Sequence, residues 1–111
     1  MSDPDIHQLR LLQIVEVSPE ISQRILASRL GVSLGKTHYL LRALLEKGLI
    51  KAECFRRHGN KLAYLYKLTP RGIAEKVRLT RAYLARKEME YEAIRVEIAE
   101  LRLQAEKDSA V

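Results

Sequence analysis

Residues 22–48 read SQRILASRLGVSLGKTHYLLRALLEKG, and the punctuation of this stretch decides the fold. Ser22 carries a side-chain oxygen that can accept from the free N–H groups of a helix start, so it predicts a short helix bearing Ile25, Leu26, Ala27 and Leu30. Gly31 supplies the left-handed backbone that ends such a helix. Two residues later Ser33 predicts a second cap, opening a longer helix with Thr37, Leu40, Leu41, Leu44 and Leu45 that runs to Gly48. A short helix, a tight glycine turn and a longer capped helix make a helix-turn-helix.

Upstream, Asp3, Pro4 and Asp5 combine a cap, a proline tolerated in the first turn and an acid near the positive helix end. Ile6, Leu9, Leu12, Ile14, Val15 and Val17 follow at helical spacing. They predict a first helix from about Pro4 to Glu16, stopped by Ser18 and Pro19. Downstream, residues 49–55 and 62–68 read as two strands around the loop RRHGNK, in which Gly59 and Asn60 mark a hairpin turn. Arg56, Arg57 and Lys61 make half of that loop cationic. Three helices followed by a basic-tipped hairpin describe a winged helix, a mainly α fold with a small β-hairpin (α+β).

Thr69 and Pro70 open one more helix by the same cap-and-proline logic. No breaker follows from Ile73 to about Lys107, which is too long for an ordinary globular helix. Apolar residues recur at spacings of four and three: Ile73, Val77, Thr80, Leu84, then Tyr91, Ile94, Ile98, Leu101 and Ala105, interrupted by Lys87. That repeat predicts a coiled-coil seam pairing two copies through Val77, Leu84, Tyr91, Ile94, Ile98 and Leu101. With Val77, Leu84, Tyr91 and Ile98 as a positions, Glu90 faces Arg95 and Glu97 faces Arg102 across a parallel pair. Lys76 with Arg81 is repulsive, so the seam begins beyond the head. An antiparallel pairing, and a single helix folding back on its own head, stay open. The expected division is a winged helix-turn-helix over residues 4–72 and a dimerisation helix over 73–107.

Composition bounds the function. A chain of 111 residues can form one domain with an extension, but not two independent cores. It is 47% hydrophobic yet only 5% aromatic, without Trp, so Leu, Ile, Val and Ala must build the core. The net charge is +6, which points to a polyanionic partner. Residues 1–72 hold 12 Lys and Arg against 6 Asp and Glu, whereas residues 73–111 hold 8 against 8. The excess therefore lies in the head. No apolar run approaches the roughly 18 residues of a membrane span, and the acidic start lacks the features of a signal peptide. One cysteine cannot form an internal disulfide, so a cytoplasmic protein with no membrane partner is expected.

The helix opened by Ser33 carries the binding chemistry. Thr37, Leu40, Leu41 and Leu44 fall on one side. At about 100° per residue Gly35, His38, Tyr39, Arg42 and Glu46 fall on the other, flanked by Lys36. Donors, acceptors and a ring at its N-terminal half suit base edges in a major groove, and Arg42 can bond a guanine bidentately. Gly35 lets the backbone come close. An ordinary solvated helix face is the alternative for any one of them. Arg56, Arg57, His58, Asn60 and Lys61 would reach the adjacent minor groove or its phosphates. Gln23 and Arg24, in the first turn of the preceding helix, would face the phosphate backbone.

No catalytic constellation is present, so an enzyme is not expected. His7, His38 and His58 lack metal-ligand spacing with Cys54, and Gly31 and Gly35 have the wrong neighbours for a phosphate-cradling loop. No metal or cofactor is implied. Cys54, in a strand beside Phe55, reads as a buried, inert thiol. Two rival readings remain: a protein-interaction module whose long helix sets stoichiometry, and an adaptor binding structured RNA. Charge confined to the head disfavours the first.

Residues 31–50, GVSLGKTHYLLRALLEKGLI, followed by residues 61–72, KLAYLYKLTPRG, resemble the MarR-type winged helix. The segment SLGK (33–36) and the tail RKEMEYE (86–92) are similar to the short MarR-like regulators associated with exopolysaccharide gene clusters. The resemblance covers about residues 5–105. It implies a dimeric regulator of double-stranded DNA, with the helix from Ser33 as reader and residues 56–61 as the wing. The larger MarR proteins carry further helices that build a ligand pocket where this chain has one long helix, so a phenolic small-molecule effector is not carried over. The reactive thiol of redox-sensing relatives sits near the chain start, which Cys54 does not match.

Overall fold

The elements run α1 (Asp3–Val17), α2 (Gln23–Leu30), α3 (Leu34–Glu46), β1 (Ile50–Arg56), β2 (Leu62–Leu68) and α4 (Pro70–Ser109) in a computed structural model that describes residues 2–56, 59 and 62–110. The fold is thus the mainly helical one with a small antiparallel hairpin expected above. Three of the four expected helix starts carry the expected cap. Ser22 accepts from the Ile25 amide, Ser33 from Lys36 and Thr69 from Gly72. Gly31 closes α2 with φ 69°, and Gly48 follows α3 with φ 71°.

The first helix differs. Its cap is Ser2, one residue before the expected Asp3. The Ser2 hydroxyl accepts from the Asp5 amide, and the Asp5 carboxylate accepts from the Ser2 amide at 3.2 Å. This reciprocal arrangement needs an acceptor three residues after the cap, which Asp5 supplies for Ser2 and Ile6 could not supply for Asp3. At the other end Val17 faces solvent, and Leu11, unremarked in the periodicity, is fully buried instead.

Strand β1 begins at Ile50 rather than Leu49, because the Leu49 backbone is already engaged: its N–H bonds Leu44 and its carbonyl accepts from Thr69. The strands pair from Ile50 opposite Leu68 to Arg56 opposite Leu62. Side chains alternate between faces along a strand, so Ile50, Ala52 and Cys54 share one face with Tyr64, Tyr66 and Leu68. Ile50 and Tyr66 are buried against the helices, whereas Lys51, Glu53 and Lys67 on the reverse face are exposed. Cys54 corrects the expectation of a buried thiol. It is exposed, because it pairs with Tyr64 toward the free end of the hairpin, where the helices no longer cover the sheet.

The core joins Leu9, Leu11, Leu12 and Val15 of α1 to Leu26 and Leu30 of α2, and Leu40, Leu41 and Leu44 of α3 to Leu49, Ile50 and Tyr66. Leu79 of α4 completes it at 1% exposure. The first turns of α4 therefore belong to the head. Gly72 is buried, Tyr83 packs on the core's edge, and Lys76 pairs with Glu16 of α1. Beyond Tyr83 the helix leaves the head without folding back: every residue from Leu84 to Ala110 except Glu90 is exposed, and the molecule reaches 75 Å in its longest dimension. Val77, Leu84, Tyr91, Ile94, Ile98 and Leu101 are all exposed on this single chain.

The charges flanking that stripe have partners within the helix. Glu90 accepts from Lys87 at 3.0 Å and from Arg86 at 3.1 Å, and these bonds hold its carboxyl below the ordinary range. Arg95 donates to Glu92. Pairing across a seam between Glu90 and Arg95 would have to exchange for these bonds, which are solvent-screened surface pairs.

Candidate nucleic-acid interface

The outer face of α3 is open along its length. Gly35, Lys36, His38, Tyr39, Arg42 and Glu46 are exposed, while Thr37, Leu40, Leu41 and Leu44 lie in the core. The periodicity argument placed every one of these residues on its observed side. Ser33, at the head of the helix, is exposed and serves as its cap, and the Thr37 hydroxyl donates back to the Ser33 carbonyl at 2.9 Å. These two bonds fix the first turn of α3 from both sides.

Side chains on this face interact only loosely with one another. The Lys36 ammonium lies 5.3 Å from the centre of the Tyr39 ring, a cation–π distance. Arg42 Nε is 3.8 Å from Glu46 Oε1, with both side chains more than two thirds exposed, so the pair is weak and leaves the guanidinium free to exchange partners. Around Gly35 no atom would meet an added Cβ within 4 Å, so its outer side is open.

His38 and Arg42 also line a groove between α3 and the hairpin. Its other walls are Gln23, Leu41, Leu45, Ala52, Tyr64 and Tyr66, and its volume is about 270 Å³. Tyr66 is the hub. Its amide donates to the Pro19 carbonyl at 2.9 Å, its hydroxyl accepts from Gln23 Nε2 at 3.4 Å, and its ring stacks on Tyr64 with centroids 6.2 Å apart and planes 28° apart. The hairpin is thereby anchored to the α1–α2 turn and to the start of α2.

The two residues expected at the phosphate backbone from α2 separate here. Arg24 is exposed, whereas Gln23 is half-buried and turned to Tyr66, so it braces the hairpin. At the wing tip, Arg57, His58, Asn60 and Lys61 lie outside the described residues, as does the Arg56 side chain; Gly59 has φ 79°. Sequence reasoning missed Tyr64 and Tyr66. Their signal was the alternation in LAYLYKL (62–68), which sets the two rings on one face of the strand. Among the described residues no group of His, Cys, Asp or Glu could hold a metal ion, and no helix is long and apolar enough to cross a membrane.

Residues 4–51 match the family model for winged helix-turn-helix DNA-binding. That match spans α1, α2, α3 and the start of β1. Solved structures share the fold. A protein of unknown function from Listeria innocua is 26% identical with a TM-score of 0.60, over 75% of this chain and 55% of that one. Streptococcus pneumoniae FabT, solved in complex with DNA, is 22% identical with a TM-score of 0.56, over 78% and 59%. The multiple antibiotic-resistance repressor (MarR) from Listeria monocytogenes is 23% identical with a TM-score of 0.55, over 77% and 56%. The chain thus spans a little over half the length of these solved proteins. No curated protein matches it in sequence.

Proposed function

We propose that this winged helix-turn-helix chain, with the fold of MarR-type regulators, is a sequence-specific double-stranded-DNA-binding transcription regulator that acts as a homodimer. The observation that carries this reading is the two-sided α3 within a matched DNA-binding region: an inner face locked in the core, and an outer face of Gly35, Lys36, His38, Tyr39 and Arg42 left open. A rigid helix with free donors fits the width of a B-DNA major groove. FabT, which shares the fold, was solved with DNA, and this supports the same partner here.

In this reading α3 lies in the major groove with Ser33 at its leading end. Arg42 bonds a guanine edge, while His38 and Tyr39 reach bases or phosphates. Arg24 and Lys36 hold phosphates beside it, and Arg56, Arg57, His58, Asn60 and Lys61 carry the wing to the neighbouring backbone or minor groove. Residues 4–72, with the first turns of α4 packed on them, serve as the DNA-binding unit, and residues 73–107 carry the pairing surface, through Val77, Leu84, Tyr91, Ile94, Ile98 and Leu101. The sequence resemblance extends the proposal to exopolysaccharide biosynthesis genes as targets of a cytoplasmic regulator.

Selection from a random duplex library at near-physiological salt tests the proposal. Enrichment of a two-fold symmetric motif is the expected result. Retention without any motif would leave a basic head that binds polyanions and would remove the regulator reading.

A further inference from the structure

The groove between α3 and the hairpin adds a contact to the DNA-binding reading, on which it rests. Tyr64 is the one residue of the groove between α3 and the hairpin that combines a large exposed ring, at 52% exposure, with a neutral hydroxyl donor. Its neighbour Tyr66 fills the core, and Tyr64 stands beside it on the same strand face with its ring open to the groove. The ring is also held. It stacks on Tyr66, which is 4% exposed and tied by hydrogen bonds to Pro19 and Gln23. A ring fixed in this way loses little entropy when it binds, which is what makes tyrosine effective at interfaces.

Its neighbours state what it meets. His38 and Arg42, on the outward side of α3, line the same groove from the opposite wall. With α3 set in a major groove as proposed, a sugar-phosphate strand bordering that groove would lie against the wall formed by His38, Arg42 and Tyr64. Tyrosine hydroxyls are among the usual donors to phosphate oxygens.

We infer that Tyr64 is a DNA-contacting residue, a donor to the sugar-phosphate strand that runs between α3 and the wing, with Tyr66 and Gln23 as its positioning residues. The contact is a hydrogen bond from a neutral group. Unlike a lysine or arginine contact it releases no counterion, so it adds affinity without steepening the dependence on salt.

Binding of wild type and Tyr64→Phe to one selected duplex and to one random duplex, each across a range of salt, tests this. Phenylalanine keeps the stack, and unchanged thermal unfolding verifies that it does. The expected result is a loss of about tenfold on both duplexes, the weight of one hydrogen bond to a charged group, with the salt slope unaltered. Tyr64→Phe binding like wild type would overturn the contact while leaving the regulator reading intact. A loss accompanied by a shallower slope would also overturn it, since that signature belongs to a displaced cation. Wild type that binds neither duplex would overturn both readings together.

Discussion

The backbone of Gly72 lies against that of Leu49 so closely that a Cβ built at position 72 would stand 1.9 Å from the Leu49 carbonyl oxygen. That oxygen is fixed, because it accepts from the Thr69 amide at 3.0 Å. The Thr69 hydroxyl in turn donates to the Gly48 carbonyl at 2.6 Å and accepts from the Gly72 amide at 3.0 Å. This knot joins the end of α3, the root of the hairpin and the start of α4. Gly72→Ala should therefore destabilise the head by about 3 kcal/mol, at the upper end for an overpacked core. Thermal unfolding checks it; a melting temperature within a degree of wild type would show that the knot can open without loss.

Ser33→Ala removes the acceptor for the Lys36 amide at the start of α3, a bond of 3.0 Å. The expected loss is about 1 kcal/mol of stability, measured by denaturant unfolding. Ser33→Asp should restore most of it, since aspartate caps as well as serine and favours the positive end of the helix.

Arg42→Ala should relax base preference at one position of each half-site and cost about 1–3 kcal/mol on the preferred duplex. Lys61→Ala should instead weaken all duplexes alike and flatten the salt slope. Selected libraries read both effects at once. An Arg42→Ala protein that enriches the wild-type motif at wild-type affinity would remove α3 from the role of reader.

Leu84→Asp combined with Ile98→Asp places charges in the exposed stripe of α4 at positions remote from the core. Light scattering should report dimers for the wild type and monomers for this variant. Unfolding of the head should be unchanged, because the head's contacts with α4 end at Tyr83. Dimers that survive both substitutions would place the pairing surface elsewhere.

Much of this was legible in the sequence, for a physical reason. Ser22, Gly31, Ser33, Gly48 and Thr69 act on the backbone within a turn of themselves, so their meaning does not wait on tertiary structure. The sidedness of α3 was equally local. What escaped reading depends on distant partners. Leu79 looks like any other apolar residue of a long helix until α1 is packed beside it. Cys54 sits in a strand whose apolar content suggests burial, yet burial depends on how far the helices extend over the hairpin. The groove lined by Tyr64 exists only once α3 and β2 are set together, and Gln23, read as a phosphate contact, is drawn inward by Tyr66 from 43 residues away.

The long helix has a mechanical consequence. After Gly72 it holds neither glycine nor proline, and it runs from inside the head core to Ser109. It is a drive shaft without a joint. Each residue inserted into its exposed part would turn the head by about 100° about the helix axis, whereas seven would advance it roughly 10 Å while nearly restoring its heading. The heading of the head is therefore set by residue count along the shaft, and a twist at the far end reaches the head through α1 and β2 with no glycine or proline in between.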